Sequence, residues 1–207
     1  MKVKFALSAA ALVLLAPAPI VFAAPPNQPG HVSPKPGTAN DTVSAVKDAT
    51  GHAVGAVSAE LTTSQQGFVD AAAISDMYEV EAGKIALARS KDSAVKAFAQ
   101  KMITAHTGTT EKLKATLASI KSSVTPPSAL DNRHQGMIDE LRGAKDQDFD
   151  GRYLSQQIDA HNEALILMRG YAKDGDTPAV KAFADKTQGA VQMHLTEAQK
   201  LRDKHTS

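Results

Sequence analysis

Apolar and small side chains recur at three-and-four spacing in four long stretches of this chain, and that period is the signature of the amphipathic α-helix. The first stretch opens near Ser64 and places Phe68, Ala71, Ala72, Ser75, Glu79, Ala82, Ile85 and Ala86 on one face before Ser90-Lys91-Asp92 ends it. The second follows at once, with Val95, Phe98, Ala99, Met102, His106, Thr109, Leu113 and Leu117 on its stripe, and stops at Ser122 to Pro127. The third spans about Asp148 to Ala172 and carries Leu154, Ile158, His161, Leu165 and Met168. Gly175 marks its stop and Thr177-Pro178 the cap and first residue of the fourth, which carries Val180, Phe183, Ala184, Thr187, Val191, His194, Ala198 and Leu201. Turns this short make each consecutive pair an antiparallel hairpin.

Between the hairpins, residues 121–147 contain one more amphipathic piece, from about Ala129 to Arg142, with Leu130, Met137, Ile138 and Leu141 apolar. Its dozen helical residues rise nearly 20 Å at about 1.5 Å each, enough to recross a bundle from end to end. An internal repeat supports a duplicated hairpin: Ala94-Val95-Lys96-Ala97-Phe98-Ala99 returns as Ala179-Val180-Lys181-Ala182-Phe183-Ala184, with Lys101 and Lys186 at the same offset. The expected fold is all-α: a four-helix bundle of two helical hairpins with a short connector helix. With Ala abundant and Trp absent, the core favours close helix packing over a sheet.

The amino terminus reads differently. Lys2 and Lys4 precede an apolar run from Phe5 to Leu15, and a Pro-broken stretch ends at Val21-Phe22-Ala23, the layout of a secretory signal peptide over residues 1–23. The run falls short of the roughly 20 residues a membrane span needs. Residues 24–63 form an expected linker, dense in Pro as far as Asn40, with a marginal helical pattern from Thr42 to Leu61 weakened by Gly51 and Gly55. Residues 64–207 are then the folded domain, and the mature chain is expected in the periplasm or secreted, attached to the surface at most.

Cleavage removes two Lys and no acid, so 23 basic residues become 21 against 22 acidic ones, a net charge of −1. Nucleic acid is an unsuitable partner for so balanced a chain, which shows no basic cluster to neutralise phosphates. Cys is absent, which removes disulfides, thiolate metal sites and c-type haem attachment, so the domain stands on its core alone. No nucleophile elbow, Gly-rich phosphate loop or His-Glu-x-x-His pair is present, and no catalytic residue is assigned.

One constellation carries candidate chemistry. Of the seven His, His106, His161 and His194 each sit on the apolar stripe of a different long helix, and Glu79 does so on the fourth. Counted from the hairpin turns, all four fall near mid-bundle, and one polar ligand per helix at one level is how helix bundles build metal sites. Neutral imidazole and carboxylate suit a single transition ion such as Cu, Zn, Fe or Mn. Asp76, one turn from Glu79, is placed to hold one His from behind. Met102 and Met193 could add soft ligands, although core filling explains them more simply. The competing reading is a buried hydrogen-bond network in which Glu79 pairs with His and fixes the packing register.

The string Tyr78-Glu79-Val80-Glu81-Ala82-Gly83-Lys84-Ile85-Ala86, then Phe98 through Thr107, Phe149-Asp150 with Tyr153 and His161, and finally His194-Leu195 resemble an exported bacterial ferritin-like domain family of unknown function. Its members are often labelled predicted outer membrane proteins. The resemblance covers about residues 64–203 and implies a ferritin-like four-helix bundle in the cell envelope without an established activity. Glu79, His106, His161 and His194 fall where the family usually shows the same residue types. The chain departs from the family at Ala105, where Asp is frequent. Di-iron enzymes of this fold class place Glu three residues before His; here those positions hold Ile103, Ile158 and Val191, which disfavours a conventional di-iron centre. Outer-membrane barrel strands of alternating polarity are also absent from the pattern. Two functions remain as expectations: an envelope protein binding one transition metal with a redox or stress role, or a structural module that engages an envelope protein or its own copy without metal.

Overall fold

The computed structural model describes residues 62–205, and these form five helices: α1 (Gln65–Arg89), α2 (Ser93–Ser119), α3 (Asn132–Gly143), α4 (Asp146–Asp174) and α5 (Pro178–His205). The expected signal peptide over 1–23, and the linker with its marginal helix as far as Leu61, lie outside the described residues.

Local chemistry sets the helix ends. The Ser64 side chain accepts from the Gly67 N–H to open α1, Asp92 accepts from Ala94 and Val95 to open α2, and Asp131 accepts from His134 to open α3. Pro178 is the first residue of α5, where its missing N–H has no intrahelical partner to lose. Helix α2 ends in paired bonds from Lys121 N–H to Ala118 O and Ser122 N–H to Leu117 O, with Lys121 itself left-handed at φ 52°; this is a Schellman stop built without glycine. Gly175 serves differently from its expected role as a left-handed stop. Its φ is −62°, and a Cβ there would lie 2.5 Å from the Tyr171 ring, so the missing side chain makes room for that ring.

Three contacts fix the helix directions. Gln65 N–H donates to Asp176 Oδ2 at 3.2 Å, placing the start of α1 at the α4–α5 turn. Arg89 pairs with Asp146 at 3.0 Å, placing the end of α1 at the start of α4. His205 meets Asp92 at 3.3 Å, bringing the end of α5 to the α1–α2 turn. Helices α1 and α5 therefore run one way and α2 and α4 the other, and each packed pair, α1·α2, α2·α5, α5·α4 and α4·α1, is antiparallel. Residues 120–145, with α3 among them, recross the length of the bundle. A four-helix bundle with one long crossover is the connectivity of ferritin-like folds.

Arg89 clamps the crossover. Its guanidinium donates to the carbonyls of Leu141, Arg142 and Ala144, at 2.6, 2.9 and 2.5 Å, and lies 4.7 Å from the Phe149 ring centroid. It thereby satisfies carbonyls that the end of α3 leaves without intrahelical partners. Gly83 brings α1 and α2 close: a Cβ there would fall 2.8 Å from Ile103 Cγ1 and 3.0 Å from Ala99 O.

The core is layered along the bundle axis. Near the start of α1, Phe68 stacks on Tyr171 at 4.3 Å and meets Phe183 edge-on. At the opposite end Phe98, Phe149 and Tyr153 cluster. Between these apolar layers lies a buried polar belt of Asp76, Glu79, His106, Gln156, Gln157, His161 and His194. Polar groups in such a layer are shielded from water at both ends, so their pairing carries the chemistry of the interior.

Candidate metal centre

The four long helices all contribute to the belt: Asp76 and Glu79 come from α1, His106 from α2, Gln156, Gln157 and His161 from α4, and His194 from α5. The three imidazoles form a near-equilateral triangle, with ring centroids 5.5 Å apart for His161–His194, 5.6 Å for His106–His161 and 5.9 Å for His106–His194. One ring nitrogen of each lies within 4.8 Å of the other two.

Two rings are held from behind. His106 Nδ1 lies 2.8 Å from Asp76 Oδ1, and the second Asp76 oxygen accepts from Thr110 Oγ1 at 2.9 Å. His161 Nδ1 lies 2.8 Å from the Gln157 carbonyl, one helical turn earlier; since a carbonyl only accepts, this nitrogen carries the proton and Nε2 carries the lone pair. The Asp76 side chain orients His106 in the same sense, Nδ1 toward it and Nε2 away. The nitrogens left over, His106 Nε2, His161 Nε2 and His194 Nδ1, are buried with no protein hydrogen-bond partner. A buried polar atom without a partner typically costs about 1–3 kcal/mol, and three from one cluster demand an explanation.

Burial also sets the charge state. It pushes His161 and His194 down to about 4, helped by the neighbouring imidazoles, so both are neutral near pH 7. Burial pulls His106 the same way, but the Asp76 hydrogen bond and the nearby carboxylates outweigh it and leave the group raised. Neutral imidazoles with free lone pairs are the form a metal needs.

Glu79 is brought to the triad's edge without joining it. Its Oε1 lies 3.6 Å from His161 Nδ1, whose proton goes to the Gln157 carbonyl instead, and both carboxylate oxygens lack protein partners. Burial raises it to about 7, against the lowering effect of His106 and of the nearby Gln157 side chain. The expected Glu79–His hydrogen bond is therefore not made, and the acid that does pair is Asp76. Gln157 and Tyr153 extend the unsatisfied set: both polar atoms of the Gln157 amide and the Tyr153 hydroxyl are buried without partners. Sequence reasoning passed over Gln157 and Thr110, and met Tyr153 only as part of the family resemblance. The first two were within reach of helix geometry, since Gln157 precedes His161, and Thr110 follows His106, by one turn.

A cavity of about 150 Å³ opens onto the triad from between the helices, lined by Asp76, His106, Thr109, Met168, Val191 and His194 among others. Met102 is in the apolar core and Met193 is exposed. Neither borders this cavity; the methionine that lines it is Met168.

A family profile described as a domain of unknown function (DUF4142) matches residues 51–201. The chain belongs to that family. No curated protein sequence matches it. Among solved structures, one described as CopM in the Cu(II)-bound form is similar in fold, with a TM-score of 0.58 at 16% identity over 68% of this chain and 97% of that one. The DUF4142 domain of this chain thus shares an all-α bundle with that protein. No described helix is long and apolar enough to cross a membrane.

Proposed function

We propose that this protein is exported through its amino-terminal signal peptide and binds one transition-metal ion in the cell envelope, copper foremost, through His106, His161 and His194. The observation that carries the reading is a buried cluster of three imidazoles, each with one nitrogen within 4.8 Å of the others and each with one buried nitrogen that has no protein hydrogen-bond partner. A hydrogen-bond network built for packing would have used them. Two imidazoles are oriented through their other nitrogen by a carboxylate and a backbone carbonyl, which is how metal-ligating His residues are generally supported.

The donor set fits the ion. Imidazole nitrogens sit about 2.0–2.1 Å from such metals, so bound nitrogens lie about 3.3 Å apart, and small rotations of three rings whose nitrogens already lie within 4.8 Å reach that spacing. Copper, zinc, iron and manganese all accept neutral nitrogen donors, and copper heads the divalent affinity order. The Cu(II)-bound state of the structurally similar CopM supports the same choice. Once bound, the ion would supply Lewis-acid or one-electron chemistry. This chain's residues do the rest: Asp76 orients His106, the Gln157 carbonyl orients His161, and Glu79 stands at the edge beside His161 Nδ1. The aromatic layers above and below exclude bulk water.

Elemental analysis by mass spectrometry of the mature protein, purified without chelators or an affinity His tag, tests the reading beside a His106→Ala/His161→Ala variant. Near-stoichiometric metal in the parent and none in a folded variant is expected. A parent that carries no metal and takes up neither Cu, Zn, Fe nor Mn on titration would overturn it.

A further inference from the structure

The cavity at the triad does not end at the His rings. A second, larger groove of about 450 Å³ runs between α2 and α5 and shares Thr109, Lys112, Thr187 and Ala190 with the first. Together they form one path from the surface to His106 and His194. The groove's walls carry small side chains from both helices, among them Ala115, Ala182 and Ala190, which leaves the path open where larger residues would close it.

The charge along this path is one-sided. Lys112 and Lys186 are the charged residues lining the outer groove, both are exposed, and neither forms an ion pair among the described residues. The single carboxylate bordering the inner cavity, Asp76, is taken up by His106 and Thr110. At the inner end wait the buried, unpartnered His106 Nε2 and His194 Nδ1. A path with cationic flanks and low-dielectric walls focuses the field and concentrates small anions at its inner end.

We propose that the metal position faces this groove and takes a small inorganic monoanion as an exchangeable ligand, with Lys112 and Lys186 drawing the anion in. The inference rests on the metal-site reading above and deepens it: three protein nitrogens leave a coordination position open, the arrangement of reactive rather than purely structural sites. The anion replaces water at the ion; no bond within it breaks and no electron is transferred.

The test uses the mature chain loaded with one equivalent of Cu(II), the loading verified by elemental analysis, and azide as the probe. Azide titration is followed by the azide-to-copper charge-transfer absorption and by electron paramagnetic resonance. Saturable binding is expected, weakening as salt rises. It should also weaken about three- to tenfold in Lys112→Glu/Lys186→Glu, the range that reversing two charges about a Debye length away gives in partly screened surroundings. Lys91→Glu/Lys145→Glu, at the α1–α2 turn and the start of α4, reverses the same number of charges away from the groove and should leave the azide affinity near that of the parent. Copper that loads normally but shows no azide response, or the same affinity in the double variant as in the parent, overturns the inference and leaves the metal site standing. Failure of copper to load overturns this inference together with the choice of copper.

Discussion

Acidification should weaken the metal-free protein in a way that exposes the polar belt. Burial, aided by the neighbouring imidazoles, holds His161 and His194 at about 4, whereas an unfolded His titrates near 6.5. Both groups are depressed on folding, so their stabilising contribution is complete above about pH 6.5 and is lost as pH falls toward 4. Glu79 works the other way. Burial raises it to about 7, so its contribution is complete below an unfolded carboxylate's roughly 4.3 and is lost as pH rises toward 7. Between about pH 6.5 and 4.5 the unfolded chain gains two protons that the folded His residues refuse, while the folded state keeps one on Glu79 that the unfolded chain releases. The net difference approaches one proton, worth about 1.4 kcal/mol per pH unit, and is smaller near pH 6.5 where the unfolded His is half-charged, so the loss over the window is about 2 kcal/mol. His106 is raised on folding by the Asp76 hydrogen bond and the nearby carboxylates, so it opposes the loss at the upper edge of the window, where an unfolded His is still titrating. Urea denaturation of the chelator-treated protein at a series of pH values, followed by far-ultraviolet circular dichroism, measures the loss. Glu79→Gln removes the opposing contribution, so its slope should roughly double, to about 2.7 kcal/mol per unit. Stability that is flat or rises from pH 6.5 to 4.5 in the parent would refute the assignment of His161 and His194 as buried neutral groups.

Asp76→Asn keeps the shape behind His106 but removes the carboxylate charge, and metal affinity should fall about ten- to a hundredfold with helical content retained; competition against a calibrated chelator checks this, and an unchanged affinity would contradict it. Arg89→Ala should cost about 2–4 kcal/mol by uncovering the carbonyls at the end of α3 and releasing the crossover, and Arg89→Lys should restore little because a point charge cannot reproduce the planar fork; thermal denaturation of both variants decides. Lys121→Gly relieves the left-handed residue after α2 and should stabilise the fold by about 0.5–1 kcal/mol, with no gain on chemical denaturation counting against that account.

The bundle was legible because its period is strong and its punctuation is chemical. Pro126-Pro127 and Thr177-Pro178 fall at breaks, and the repeated Ala-Val-Lys-Ala-Phe-Ala opens both α2 and α5. The crossover could be expected from length alone, but its lock could not: Arg89 reads as a solvated cation at a helix end until the tertiary structure brings three carbonyls to it. Alignment of Glu79, His106, His161 and His194 at one level followed from counting residues, and the structure places all four in the polar belt. Their pairing did not follow from counting. Asp76 and Glu79 are three residues apart on α1 and so point about 60° apart around its axis, and which of them meets His106 is decided by how α1 packs on α2, a contact that is close at Gly83. The unsatisfied Gln157 and Tyr153 escaped for a related reason, since a polar side chain on a helix reads as exposed until a neighbour covers it.

X-ray absorption fine structure at the copper edge, on protein loaded with one equivalent of Cu(II), tests the central claim most directly. Three imidazole nitrogens at about 2.0 Å, with the multiple-scattering features of intact rings, are expected in the parent and should disappear in His161→Ala. A spectrum with oxygen donors alone, or one unchanged by His161→Ala, would place any bound copper elsewhere and contradict the account.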